Sequence, residues 1–149
     1  MSAVRIVGLG SPFGDDRAGW AAVAALGAAP LPPGVEAIFC ANPATELLPA
    51  LRGARRVVLV DAVAGGDPGA IVRGDRAAMR ANRAGVSSHG VGVDAVLDLA
   101  AALGELPPEL KLVGVAIDPA NAGPAASLSA PVAAAVPALA RAALEEATR

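Results

Sequence analysis

The stretch that most limits what this chain can fold into is its first: the apolar run Val4 to Leu9 enters a glycine-rich turn, and Asp15 and Asp16 follow at a predicted helix start. A short, nearly continuous apolar run bounded by glycine suits a strand covered on both faces. Strands at 3–9, 35–41, 55–62 and 110–117 alternate with helical patterns at 15–28, 42–51, 91–103 and from about Pro131 to the C-terminus, where Pro137 is a candidate kink. In the first helix Gly19, Ala22, Val23 and Leu26 form the sheet-facing stripe; in the second Asn42 is the N-cap and Pro43 the first helical residue. Residues 70–73 follow the third strand too closely to be its parallel neighbour, because a parallel crossover needs a dozen residues or so. Strands alternating with helices predict an α/β fold: a three-layer α/β/α sandwich around a mostly parallel twisted sheet of about five strands.

The chain has 149 residues with a hydrophobic content of 54%, enough for one core, so a single domain over 1–149 is expected. A net charge of -2, a pI near 5.3 and 2% aromatic residues provide neither a phosphate-tracking surface nor base-stacking platforms, which excludes nucleic acid as a partner. One cysteine, Cys40, forms no internal disulfide or CxxC knuckle and fits a reducing compartment, so the chain reads as cytoplasmic. The first residues lack the basic and long apolar regions of a signal peptide. The uncharged stretch 119–140 holds Pro119, Pro124, Pro131 and Pro137 among many alanines, too broken and too weakly apolar to span a membrane.

In sheets of this kind ligands sit in the crevice beyond the carboxyl ends of the strands. Asp15 and Asp16 follow the first strand, Asp61 closes the third and Asp118 the last, so the topology gathers carboxylates on one rim. Each has a structural alternative. Acids at a helix start cap free N–H groups, contributing about 0.5–2 kcal/mol per cap. Asp61 abuts a Val-Val-Leu-Val run, where a carboxylate is expensive unless paired or bound to a cation, or it starts a turn by bonding to nearby backbone. His89, the only histidine, follows Ser87 and Ser88 and is either a satisfied loop or core histidine or a ligand. Taken together, an O, O, N donor set suits a borderline divalent metal such as nickel, zinc, cobalt or manganese.

Other chemistries find less support. Gly8-Leu9-Gly10 alone is a weak dinucleotide signal: Asp15 and Asp16 would repel a pyrophosphate at that helix start, and the second strand ends in Ala41-Asn42 without an acid to hold a ribose. There is no GK[ST] sequence and no G-x-S-x-G elbow around Ser87 and Ser88. Cys40 is most simply a small buried residue.

These residues resemble the [NiFe] hydrogenase maturation proteases. The stretch Gly8-Leu9-Gly10-Ser11-Pro12-Phe13-Gly14-Asp15-Asp16-Arg17-Ala18-Gly19 resembles the family's opening pattern G-x-G-N-P-x-x-G-D-D-G-x-G. Val58-Leu59-Val60-Asp61-Ala62 with Pro68-Gly69 resembles its second block, Ser88-His89-Gly90 leading into Leu97 its third, and Leu128-Ser129 with Val132 its C-terminal helix start. Ser11 replaces the usual Asn, Arg17 replaces a Gly, and the first loop is one residue shorter. Arg17 is read either as a contact for a precursor carboxylate or as a solvated first-turn side chain.

The resemblance implies an endopeptidase that removes the C-terminal extension of a nickel-loaded hydrogenase large-subunit precursor. Asp16, Asp61 and His89 would be both its metal-recognition and its catalytic residues. It further implies that nickel arrives with the precursor and that no cofactor is permanently bound. A non-catalytic metal-binding or chaperone-like module, and a mononucleotide-binding flavodoxin-like domain, are the alternatives on the same scaffold.

Overall fold

A computed structural model describes residues 3–77, 88–123 and 127–149, with the helical backbone alone at 88–91. Five strands, β1 (Val4–Leu9), β2 (Val35–Cys40), β3 (Arg56–Ala64), β4 (Ile71–Gly74) and β5 (Glu109–Ile117), form one sheet in the order β2-β1-β3-β5-β4. β2, β1, β3 and β5 are mutually parallel, and β4 runs antiparallel on the edge beside β5. The short link from β3 to β4 therefore skips a position that β5 fills later, as the crossover argument requires. The helices are α1 (Ala18–Leu26), α2 (Pro43–Leu51), α3 (Ser88–Ala102) and α4 (Ala130–Thr148).

Alternation along β3 builds the layers. Val58, Val60 and Ala62 face a cluster with Ala22, Val23 and Leu26 of α1 and Val132, Leu139 and Ala143 of α4. Val57 and Leu59 face Leu47 and Leu51 of α2 and Val93, Leu97 and Ala100 of α3. Because successive side chains point to opposite faces, Asp61 belongs to the α2–α3 side, and a one-residue slip of β3 would drive its carboxylate into the aliphatic cluster under α1. Register is thus fixed by both cores at once.

From β1 the chain goes out to β2 and then returns across β1 to place β3 on its other flank. The carboxyl ends of β1 and β3 are consequently the topological switch point, the place where such sheets leave a crevice. α1 covers it from one side. The helix can lie this low because Gly19 has no side chain: a Cβ there would stand 2.1 Å from the Leu9 carbonyl oxygen and 2.4 Å from that of Val60.

Several details differ from the sequence reading, among them the start of α3 at Ser88 rather than 91. β3 continues past Ala62 to Ala64, because β5 runs equally far and supplies its ladder up to Ala64 opposite Ile117. The first helix splits into a 3-10 turn, Gly14–Arg17, followed by α1, since Gly14 sits at φ 56 and hydrogen bonds inside the loop tighten that turn. α4 carries Pro137 without interruption as one helix. The expected cap at Asn42 is present, its side chain accepting from Ala44 N at 3.2 Å, and Glu46 closes the box by accepting from the Ala41 and Asn42 amides.

Candidate active site at the carboxyl ends of β1 and β3

The loop from β1 into α1 is held by its own hydrogen bonds. Asp16 N donates to Phe13 O at 3.1 Å, Ser11 N donates to Asp16 O at 3.1 Å, and the Ser11 hydroxyl donates to Asp16 Oδ2 at 2.5 Å. Arg17 turns back to donate to the Pro12 carbonyl at 3.2 Å, so in the isolated chain it braces the loop. The result is a buried Asp16 on a short, fixed turn.

Asp15 and Asp16 divide their work, and neither does what acids at a helix start usually do. No side chain caps the 3-10 turn or α1. The carboxylate of Asp15, fully buried, accepts from both the amide and the hydroxyl of Ser129, each at 2.7 Å, and so ties the site loop to the residue preceding α4. A sequence separation of 114 hides this bond from any local pattern. It also gives a physical sense to the Leu128-Ser129 block, with Val132 buried below it in the core.

Asp61 lies on β3 one residue beyond the last pair with β1, Gly8 opposite Val60, while its other side remains paired with Gly114 of β5. It is 6% exposed and sits at the opening that the departure of β1 creates, with the 3-10 turn packed against this end of β3. Its Oδ1 accepts from the Ala62 amide at 2.8 Å, which orients the carboxylate from behind. Asp16 and Asp61 thus share one rim. Asp118 does not join them: it is exposed and caps the 3-10 turn Pro119–Ala122 by accepting from Ala120 N at 3.0 Å.

The helical backbone of α3 begins at Ser88, so His89 belongs to the first turn of a helix rather than to the loop before it. Its side chain lies outside the described residues. Among the described residues no three His, Cys, Asp or Glu side chains converge on a metal position.

Trp20 and Cys40, the latter read from the sequence as a small buried residue, also line this end. Trp20, at the start of α1, is half-buried and donates its indole N–H to the Cys40 carbonyl at 3.1 Å, linking α1 to the end of β2. Its ring closes over the turn, where a Cβ at Gly10 would meet Trp20 Cδ1 at 3.1 Å and the Asp16 carbonyl at 2.9 Å. The glycines of Gly8-Leu9-Gly10 therefore serve close packing of α1 and Trp20 on the turn, not an opening for a phosphate. Cys40 is buried, and desolvation, then the nearby charges of Glu46 and Asp61, push its thiol up to about 11. A thiol so reluctant to ionise is no nucleophile near neutrality.

Comparison with known proteins decides the family of the chain. The family model for HycI, hydrogenase maturation protease, matches residues 41–146, the greater part of the chain. The chain belongs to the hydrogenase maturation proteases. Among solved structures, the hydrogenase maturating endopeptidase HybD from Escherichia coli is 28% identical, with a TM-score of 0.81 over 98% of this chain and 93% of that one. A second Escherichia coli endopeptidase is 27% identical, with a TM-score of 0.85 over the same shares. The [NiFe] hydrogenase maturation protease HybD from Thermococcus kodakarensis shares the fold at 24% identity, with a TM-score of 0.79 over 99% of each chain. No curated protein matches the sequence. Membership makes the protein a peptidase of hydrogenase maturation, and the flavodoxin-like and non-catalytic alternatives give way to it. Among the described residues no helix is long and apolar enough to cross a membrane.

Proposed function

We propose that this maturation protease removes the C-terminal extension of a [NiFe] hydrogenase large-subunit precursor that already carries nickel, and that Asp16, Asp61 and His89 recognise that nickel. The observation that carries the reading is the placement of two buried carboxylates, Asp16 after β1 and Asp61 on β3, at the carboxyl ends of neighbouring parallel strands. Burying two like charges on one rim is costly unless a cation or a proton donor shares them. Two carboxylate oxygens with an imidazole form a donor set for a borderline divalent metal, and nickel is cargo of the substrate here rather than a resident cofactor.

Three donors from one protein leave coordination positions that the precursor's own ligands occupy, so the loaded precursor is anchored and the empty one is not. With the precursor docked, hydrolysis adds the oxygen of water to the scissile carbonyl carbon and breaks the C–N bond. The proton released from water travels to the departing amine. Asp16 or Asp61 would relay it as a general base, and the precursor's cation would draw electron density from the carbonyl. We place the reaction in the cytoplasm, with which a single free cysteine is consistent.

The test incubates the purified protein with matched nickel-free and nickel-loaded precursor and follows the small C-terminal peptide by mass spectrometry. Release from the loaded form only is expected. Equal release from both would replace nickel sensing by an ordinary acid-base or metalloprotease reading.

A further inference from the structure

We propose that Ser11 is a positioning residue for the Asp16 carboxylate: its hydroxyl sets the plane of that group, and the affinity of the site for a divalent cation depends on it. The proposal rests on the functional reading above and concerns a residue at which this chain departs from the family's opening pattern.

Ser11 holds Asp16 at both ends. The amide of Ser11 donates to the Asp16 carbonyl at 3.1 Å, and its hydroxyl donates to Asp16 Oδ2 at 2.5 Å, in the short range of a hydroxyl bound to a charged carboxylate. The two bonds close a ring across the loop, so neither the main chain nor the side chain of Asp16 turns independently of Ser11. A carboxylate has one soft torsion at its end, broad and roughly two-fold. A donor fixed by the backbone on one oxygen selects one orientation from that broad well and thereby directs the other oxygen as well. The Ser11 hydroxyl is itself steadied by accepting from the Phe13 amide at 3.4 Å. Gly10 lets Ser11 come this close, because any side chain there would strike the Asp16 carbonyl.

This differs from the support that Asp61 receives. The Ala62 amide that holds Asp61 is part of β3 and no substitution at 62 other than proline removes it. Asp16 Oδ2 is instead held by a replaceable hydroxyl. Outer partners of this kind commonly set about 10–100-fold of metal affinity.

The experiment compares wild type, Ser11→Ala and Ser11→Thr in three measurements: titration with Co²⁺ alone, read by calorimetry and Trp20 fluorescence; kcat and KM on the nickel-loaded precursor; and thermal unfolding. Ser11→Ala is expected to weaken Co²⁺ binding by about 10-fold or more and to lower kcat/KM on the loaded precursor in parallel. Its unfolding midpoint should stay close to wild type, since the main-chain bond to Asp16 survives. Ser11→Thr keeps the hydroxyl and should restore both functions. Full Co²⁺ affinity and full cleavage by Ser11→Ala would overturn the positioning role while leaving the protease reading intact. Loss in Ser11→Ala that Ser11→Thr does not repair, or that comes with a collapsed midpoint, would reduce Ser11 to a structural residue. If wild type cleaves but binds no Co²⁺ by itself, the kcat/KM comparison decides. Wild type that neither binds nor cleaves removes the protease reading and this inference with it.

Discussion

Gly19 offers the sharpest test of how the site is built. Replacing it by alanine adds one methyl group to the face of α1 that lies on the ends of β1 and β3. That methyl would sit 2.1 Å from the Leu9 carbonyl oxygen and 2.4 Å from the Val60 carbonyl oxygen. Both are backbone atoms of interior strands of a five-stranded sheet, so they cannot swing aside like the end of a side chain. The helix must lift by about 1 Å, an amount that a close-packed interior does not absorb. Overpacking of this kind costs about 1–3 kcal/mol, and lifting α1 also loosens Ala22, Val23 and Leu26 from the core.

Against this stands the helix propensity of alanine, about 1 kcal/mol better than glycine. The clash is with backbone, which puts the steric cost at the upper end of that range, so Gly19→Ala should lose about 2 kcal/mol net. Gly92 in α3 provides the control, because among the described residues a Cβ there meets only Pro43 Cβ at 4.0 Å. Gly92→Ala should therefore gain about 0.5–1 kcal/mol from the same chemical change. Urea denaturation followed by circular dichroism reads both. Cleavage should fall in Gly19→Ala as well, since the Asp16 turn moves with α1. A Gly19→Ala protein as stable as wild type, or a pair that shifts in the same direction, would refute the claim that backbone contact between α1 and the strand ends places the site.

Asp15→Ala removes the acceptor of two short bonds and leaves the Ser129 amide and hydroxyl to be satisfied by water; it should cost about 3 kcal/mol in urea denaturation, and Asp15→Asn, which can accept from the amide and donate to the hydroxyl, about 1. Asp61→Asn retains the acceptor for the Ala62 amide, so it should stay within about 1 kcal/mol of wild type while peptide release falls about 100-fold or more. His89→Ala should behave alike, folded by circular dichroism and inactive toward the loaded precursor; normal cleavage by both variants would remove these residues from the site. Folding holds the Cys40 proton more tightly than the unfolded chain does, so stability is unaffected below the ordinary thiol value of 9.0 and declines as pH climbs toward about 11. Cys40→Ala should abolish that part of the decline in denaturation curves taken across this range, and it should cleave normally.

The strands were legible because their apolar runs are local and nearly unbroken: Val4–Leu9, Val57–Val60 and Leu110–Ile117 read as strands whatever surrounds them. Helix punctuation was equally local at Asn42-Pro43, and the incompatibility of β4 with β3 followed from chain length alone. Topology then brought Asp16 and Asp61 to one rim, because parallel strands present their carboxyl ends on the same side. The split between Asp15 and Asp16 was not legible, since it depends on Ser129, 114 residues away, which the fold of α4 against α1 delivers. The extent of β3 depended on how far β5 runs beside it. Sequence by itself determined the layers and that Asp16 and Asp61 stand at the carboxyl ends of parallel strands, while strand order and the departure of Asp118 from that rim came from the fold. Only tertiary contact decided that Asp15 became a strut, because its donors come from Ser129 at the far end of the chain, whereas the Ser11 hydroxyl that orients Asp16 lies in the same loop.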